Sequence, residues 1–570
     1  MGNCTHKLIN YGYKNVTSLE SAIVTVLGLG IYICFLQILS ISGHLTFVWL
    51  AFLLGFGVLA GLMNLQSDFP IWLTNFKHFN IRKSLNESTL LIILFLIALP
   101  TILLPLRPPG GWDALMYHLP HAKQWATTGT LTVNEWLRYP WFPFNIELLY
   151  SASMVVMGDI MPQILNATAG WLIAFILYKL ARQHSNFWVA GISVIIWLLL
   201  TRSFFDTADV DIGLTLFIFC ASVTFYFWLE KQDNLFWLLV SCFFMGLAAG
   251  SKYQALMFLP IFFITLVYKE RNWRKLQLAF ICFLIPCIYW YARNVMLTGD
   301  PFNPVGGKLF GFTDWNLGDF EYQFADLERV KGWPSWLLLP AIISLINSGF
   351  KNLLFKRAIF SFCIFSFSIW LIASHYPRYL MPALPLIILL AADGWYWLFS
   401  KIINSNDQFK FIGSFIENSQ KLKYFLFIIV TILMSVDGLI RASSAWNRIA
   451  INSSVREKIL LKKDSTNAVL IYTNTNFKGK TYQFGLENKQ YYLENETWGD
   501  HFGPGRYRDY ANLESNKLYE KLKQENFRNL LIHSGNWRTI DTKEGFDCFF
   551  SEVYEVIPVK LYVINEKPVC

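Results

Sequence analysis

Residues 106–131, LRPPGGWDALMYHLPHAKQWATTGTL, place Asp113, Tyr117, His118, His121 and Trp125 directly after a long apolar run. A carboxylate accepts a proton, an imidazole exchanges one near neutral pH, and aromatic faces stack on a ligand. Four further segments of this kind are scattered along the chain: "RSFFDTADVDIG" with Asp206, Asp209 and Asp211, "GSKYQ" with Lys252, "WYARNVMLTGDPFNP" with Arg293, and "SHYPRYLMPALP" with His375 and Arg378. Each adjoins an apolar run, where an ionisable group is costly unless it has a partner or a task.

The elements that position these groups belong in lipid. The chain of 570 residues is 54% hydrophobic and 17% aromatic, with a mean hydropathy of +0.37. The net charge of +9 comes from Lys and Arg spread through short loops, which marks membrane topology and excludes a basic nucleic-acid-binding face. No cleavable signal peptide is expected, and His6 in "MGNCTH" breaks a myristoylation signal. Six of the nine cysteines, Cys34, Cys220, Cys242, Cys282, Cys287 and Cys363, lie within apolar runs without metal-site spacing.

Apolar runs long enough to cross a core of about 30 Å fall near 19–42, 43–64, 88–106, 160–181, 187–202, 209–229, 234–250, 254–268, 276–292, 335–349, 357–373, 379–399 and 423–442. The expected fold is therefore an all-α, multi-pass membrane protein of about thirteen transmembrane helices. Short basic connections at 76–84, 268–275, 350–357 and 401–423 read as cytoplasmic by the positive-inside rule. The connections at 107–159, 202–208, 251–253, 293–333 and 374–378 then face outward. The segment 142–159 is too short to span and reads as an interfacial or re-entrant helix.

Beyond residue 442 the composition turns polar. Runs at 468–474, 529–534 and 556–565 read as strands around a helix at 512–527, which predicts a small α/β domain over 443–570. An odd number of crossings puts that domain outside the cytoplasm. Cys548 and Cys570 share that compartment and flank the last expected strand, so a disulfide between them is predicted. The division is thus 1–87 with two extra transmembrane helices, a core at 88–442 with outer loops 107–159 and 293–334, and the α/β domain.

On this topology the acids and bases meet one outer plane, an arrangement suited to an anionic, lipid-linked substrate. In their order, "GGWDALMYH", "RYPWFPFNIELLY", "GLAAGSKYQAL", "ARNVMLTGDPFNP" and "PRYLMPALPL" resemble the GT-C glycosyltransferases. These are multi-pass enzymes that transfer a sugar from a polyprenyl-phosphate carrier, among them protein O-mannosyltransferases and the aminoarabinose transferases of lipid A. The resemblance covers roughly residues 88–400. Asp113 is followed by Ala114 rather than a second acid, and Tyr139–Pro140–Trp141–Phe142–Pro143 stands where the aminoarabinose branch has Lys-Pro-Pro-Leu. A second acid would come from Glu135, Glu147 or the 206–211 group.

The resemblance implies transfer of a hexosyl or pentosyl unit from a polyprenyl-phosphate-linked donor to a lipid, glycan or protein acceptor at the extracytoplasmic face of the cell membrane. Asp113 is the candidate base for the acceptor hydroxyl, passing an oxocarbenium-like state. Lys252, Arg293 and Arg378 are candidates for the phosphate that leaves. Tyr117, His375 and Asp209 join them as substrate-binding residues, with Trp125, Trp136 and Trp141 as aromatic platforms. A divalent cation held by His118 and His121 is a further expectation.

Each has a plainer alternative. Asp113 could cap the following helix, the histidines could be structural, Lys252 and Arg378 could snorkel, and the aromatics could form an interfacial belt. A multi-pass lipid or solute transporter or flippase is the rival from another class. Such a protein calls for paired halves with charges near the midplane; the chain has no internal repeat, and its charges lie at the rim.

Overall fold

The computed structural model describes residues 17–59, 61–62, 81–329, 332–347, 349–404, 419–450, 453–537 and 539–570. The expectations for His6, for most of the 76–84 connection and for much of the 401–423 connection lie outside these residues. Among the described residues, six helices are long and apolar enough to cross a membrane: Ser18–Ile41, Met161–His184, Phe187–Phe204, Asp211–Glu230, Leu353–Ala373 and Pro377–Lys401. A bent pair, Trp273–Leu284 and Ile288–Thr298, makes a seventh if it is one span.

This is short of the thirteen expected crossings. The apolar stretches at Leu235–Ala249, Tyr253–Lys269 and Trp336–Ile346 form helices of 10–17 residues, whereas the runs expected near 88–106 and 423–442 lie on the longer helices Ile81–Leu103 and Ser419–Trp446. A run of apolar residues carries no information on where the backbone turns within it. The segment expected to be re-entrant is such a short helix, Asn145–Met157, with Asn145, Ile146, Glu147, Leu148, Tyr150, Ser151 and Ala152 buried.

Burial ranks the spans. The Asp211–Glu230 helix has 89% of its apolar window buried against 33% for Leu353–Ala373, so the former is central and the latter peripheral. The first helix starts on a capping box, in which Thr17 accepts from the Glu20 amide and the Glu20 carboxylate accepts from the Thr17 amide. The bent pair turns by 69°, and the carbonyl of Pro286 at the break needs donors. Gln37 Nε2 and Asn145 Nδ2 each supply one at 2.9 Å. Asn145 Oδ1 in turn accepts from Gln37 Nε2 at 2.5 Å and Trp290 Nε1 at 2.8 Å. The Pro286 carbonyl freed at the break is thus satisfied inside the protein, as irregular backbone within a membrane bundle requires.

The chain after Trp446 forms a separate α/β layer with its own core, including Tyr482, Phe484, Leu518, Leu522, Leu530 and Ile532. Its five strands are β1 Lys480–Phe484, β2 Thr497–Trp498, β3 Phe527–His533, β4 Phe550–Val556 and β5 Val559–Ile564. They lie in the order β2-β1-β3-β5-β4, parallel among β2, β1 and β3 and antiparallel from β3 onward. The expected helix is Ser515–Gln524, with Leu518 and Leu522 buried. The run at 468–474, expected as a strand, is instead part of a helix, Asn467–Asn476. Its Thr473 and Thr475 hydroxyls bond back to carbonyls four residues earlier, so the threonines that suggested a strand are accommodated by helical bonding. Cys548 and Cys570 are bridged, with Cα atoms 5.3 Å apart, as predicted.

This domain is seated on the loops 107–159 and 293–334. Arg138 Nε donates to both Asp500 carboxylate oxygens at 2.8 and 2.9 Å. Arg456 pairs with Asp159, whose carboxylate also accepts from Tyr491 Oη at 2.8 Å. Tyr492 Oη donates to the Pro109 carbonyl at 2.6 Å. Arg506 and Arg508 both pair with the fully buried Asp319. The domain and the loops 107–159 and 293–334 therefore share one end of the helix bundle.

Candidate active site

Asp113 opens the turn that leads out of the Pro-rich end of the preceding helix. Its side chain makes no capping bond to the helix that follows, so the capping alternative is set aside. The carboxylate instead accepts from Arg378 Nη1 at 2.6 Å. The approach depends on Gly111, whose φ is +97°, in the region that favours glycine. A Cβ there would also stand 3.0 Å from the Thr207 methyl. That closeness brings the Asp113 turn against the 204–209 turn. Asn166 Nδ2 holds the second turn by donating to the carbonyls of Phe204 and Thr207 at 2.7 and 2.9 Å.

Two of the three acids of that second segment reach the site. Asp209 Oδ2 accepts from Thr207 Oγ1 at 2.8 Å, while its buried Oδ1 makes no hydrogen bond within the protein. Asp211 Oδ1, at the start of the central helix, accepts from Lys252 Nζ at 2.8 Å. Asp206 turns away and pairs with Arg107. Lys252 Nζ also lies 5.6 Å from the Tyr379 ring centroid, and Arg378 lies over Tyr376 at 4.8 Å. The side chains of Asp113 and Arg378 retain 16% and 24% exposure, so the cluster is sheltered yet reachable.

Electrostatics separates the carboxylates. Burial pushes Asp113 upward, but the facing Arg378, with His118 and Lys252 nearby, holds it below the usual carboxylate range. Asp209 is raised to about 6 by its burial and by the negative charge of Asp113. Two carboxylates of opposite tendency beside two fixed cations can store a proton and meet an anion at the same place.

Tyr117 is buried beside this cluster, its ring 4.1 Å from His118 and edge-on to Tyr139 at 5.0 Å. His118 Nδ1 lies 2.6 Å from Glu147 Oε1. His121 donates from Nε2 to the Arg138 carbonyl at 3.0 Å and stacks between Trp125 and Phe144. Burial lowers it to about 3, so it is neutral. Trp125 Nε1 donates to the Thr132 carbonyl at 2.9 Å, within the packing around His121 rather than on a sugar platform. No group of three or more His, Cys, Asp or Glu able to hold a metal ion occurs among the described residues. The two histidines are thus engaged separately, one with a carboxylate and one with backbone, and do not converge as a ligand pair.

Arg293 and His375 are not brought to Asp113. Arg293 Nη2 donates to the Phe142 carbonyl at 3.3 Å and to Asn294 Oδ1 at 2.9 Å, with Trp290 and Trp141 stacked on the guanidinium. It braces the aromatic-proline segment of the first outer loop. His375 Nε2 bonds to the Leu371 carbonyl at 2.6 Å and the ring lies against Trp370. Residues the sequence did not single out include Asn145, Arg138 and Thr207; Asn145 in an otherwise apolar stretch was the available signal.

Comparison with known proteins fits this geometry. A family model described as dolichyl-phosphate-mannose-protein mannosyltransferase matches residues 143–290, and a second, SF2091/S2213, matches residues 455–563. The uncharacterized protein SF2093/S2215 of Shigella flexneri is 34% identical over 151 residues, 25% of this chain and 75% of that protein. SF2092/S2214 of the same organism is 29% identical over 138 residues, 22% of this chain and 75% of that protein. Crystallised ArnT from Cupriavidus metallidurans, bound to undecaprenyl phosphate, superposes with a TM-score of 0.51 at 12% identity, covering 84% of this chain and 97% of ArnT. The fold is similar to that of this crystallised protein. The chain belongs to the family of SF2093/S2215 of Shigella flexneri.

Proposed function

We propose that the protein transfers a single sugar from a polyprenyl-phosphate-linked donor to an acceptor hydroxyl at the extracytoplasmic face of the membrane. The observation that carries this reading is the convergence of Asp113, Asp209 and Asp211 with Lys252 and Arg378 at the end of the bundle where both outer loops and the C-terminal domain meet. The crystallised ArnT bound to undecaprenyl phosphate supports the donor class.

In this reaction the acceptor oxygen forms a bond to the anomeric carbon as the bond from that carbon to the phosphate oxygen breaks. The hydroxyl proton passes to a carboxylate, and the electron pair leaves with the prenyl phosphate. Arg378 and Lys252 meet the charge that collects on that phosphate, Arg through its planar fork. Both cations are already paired with Asp113 and Asp211, so the arriving phosphate exchanges partners with them. As Arg378 turns to phosphate, Asp113 loses the neighbour that suppresses its basicity and becomes the base.

A second assignment makes Asp209 the base, favoured by its unpartnered Oδ1 and its pKa near 6. A divalent cation remains a proposal without a converging ligand set: among the described residues, the acids of this cluster are engaged by Arg378, Lys252 and Thr207. The deciding experiment is the mass of envelope glycolipids and glycoproteins in cells lacking the protein. One glycoconjugate should lose one sugar residue and regain it with the wild-type gene but not with Asp113→Asn. Unchanged glycoconjugate masses would remove the proposal.

A further inference from the structure

We infer that the groove between the first outer loop, the segment around residues 297–315 and the C-terminal domain is the acceptor subsite, and that the acceptor it binds is a saccharide. This rests on the transfer reaction proposed above and names its second substrate. The groove has a volume of about 560 Å³ and is open to solvent, lined among others by Asn134, Glu135, Trp136, Trp141, Asp314 and Trp498.

Three of these side chains carry a polar atom that is buried and makes no hydrogen bond within the protein: Asn134 Nδ2, Trp141 Nε1 and Asp314 Oδ2. Trp141 is 5% exposed, so its indole N–H is shut away from bulk water and faces a cost unless a ligand accepts from it. Asn134, Glu135 and Asp314 line the same groove, and an amide with two carboxyl groups can both give and take hydrogen bonds with a saccharide hydroxyl. Burial and the charge of Glu135 raise Asp314 to about 7, so near neutral pH it serves in either role.

The rest of the lining suits the apolar C–H faces of a pyranose. Trp498 is fixed by Lys480 Nζ, 3.7 Å from its ring centroid, and by donating its N–H to Glu496 at 2.7 Å. Trp136 lines the groove beside it. Rigid aromatic planes with a few placed polar groups are the composition of a small-ligand cleft, and the carboxylates disfavour a lipid chain. The cleft is also near the chemistry: a smaller cavity lined by Trp141, Asp314 and Tyr139 adjoins it, and Tyr139 packs edge-on against Tyr117 beside Asp113.

The test uses the full chain in lipid nanodiscs. Saturation-transfer NMR is recorded with methyl glycosides of glucose, galactose, mannose, rhamnose and N-acetylglucosamine, and undecaprenyl phosphate retention is followed in parallel by native mass spectrometry. At least one glycoside should receive saturation from the wild-type protein. Its signal should fall about tenfold in Trp136→Ala and in Asp314→Asn, the scale of one lost stacking or hydrogen-bonding contact. Undecaprenyl phosphate should be retained by both variants. Asp314→Asn keeps the volume and guards against misfolding of the tryptophan variant. Absence of any glycoside signal in wild type, or signals in both variants equal to that of wild type, would overturn the saccharide subsite. Failure of wild type to retain undecaprenyl phosphate while a glycoside binds would instead overturn the donor reading on which the word acceptor depends.

Discussion

Asp113→Asn separates chemistry from architecture at this site. Asparagine keeps the size of the side chain and an oxygen that accepts from Arg378 Nη1, now 2.6 Å from the carboxylate, while removing charge and basicity. The structural cost is limited, because the pair keeps 16% and 24% side-chain exposure and a second carboxylate, Asp211, faces Arg378. Between the ~0–1 kcal/mol of an exposed pair and the ~3–5 kcal/mol of breaking a buried one, about 1–2 kcal/mol is expected. The chemical cost is larger: losing a general base lowers turnover about 10²- to 10⁴-fold, or about 3–5 kcal/mol of barrier.

Purified variant and wild type should therefore insert alike and melt within a few degrees of each other, yet differ by at least two decades in transfer from an undecaprenyl-phosphate-linked sugar. Transfer by Asp113→Asn within about threefold of wild type would refute Asp113 as the base. The pH profile then identifies the replacement. An acid limb of kcat/KM near pH 6 that is abolished by Asp209→Asn would assign the proton to Asp209, whose folded pKa is about 6.

Several other consequences can be measured independently. A reporter active only outside the cytoplasm should work when fused at Asn476 and fail at Asn404; the reverse pattern would invert the side assigned to the site. Unreduced protein should be 2 Da lighter than reduced protein, and Cys548→Ser should cost the C-terminal domain about 3 kcal/mol for opening a loop with a sequence separation of 22. Glu487 is pushed up by burial but more strongly down by its hydrogen bond to His501 and the nearby Arg138, and settles at about 2. Its folded pKa is below the unfolded one, so it stabilises the folded state by about 3 kcal/mol above pH 4.5, a contribution lost as pH falls toward 2. Thermal melts of Glu487→Gln should consequently lack that part of the acid sensitivity. Arg138→Ala removes the two-pronged clasp on Asp500 and should speed limited proteolysis between residues 446 and 480; an unchanged cleavage rate would show that the other contacts hold the domain unaided.

The site was more legible than the bundle. Asp113, Asp209, Lys252, Arg378 and Tyr117 stood out because ionisable or amphipathic groups at the ends of apolar runs need a reason to be there, and the structure gathers all five. Arg293 and His375 passed the same test for another reason: one braces backbone through Phe142 and the other turns onto Leu371. A sequence gives the cost of burying a charge but not the direction in which the side chain leaves the helix. The bend within the run expected at 276–292 was illegible for a related cause, since a 69° turn near Pro286 leaves the hydropathy of the run unaltered. In the C-terminal domain, strands β3 and β5 and the 515–524 helix were readable. The 468–474 run was not, because a short β-branched stretch fits either state until its neighbours decide.

The paired charges of the site also explain how it can exist beside lipid. Alone, Lys252 or Arg378 at the edge of the hydrocarbon would be expensive to bury, as would Asp113 or Asp211. Drawn from four segments and paired across 2.8 and 2.6 Å, they cancel while the site is empty of substrate. An incoming prenyl phosphate brings the negative charge that either carboxylate now supplies, so it can replace a carboxylate at the cations without leaving them unbalanced. The displaced carboxylate then carries charge with no cation beside it, which raises its affinity for a proton at the moment the acceptor hydroxyl must lose one. In the proposed reaction, binding of the donor and activation of the acceptor are coupled through Arg378: Arg378→Lys, which keeps the charge but loses the planar fork, should weaken donor binding less than it slows transfer. Equal losses in both would mean that Arg378 serves binding alone.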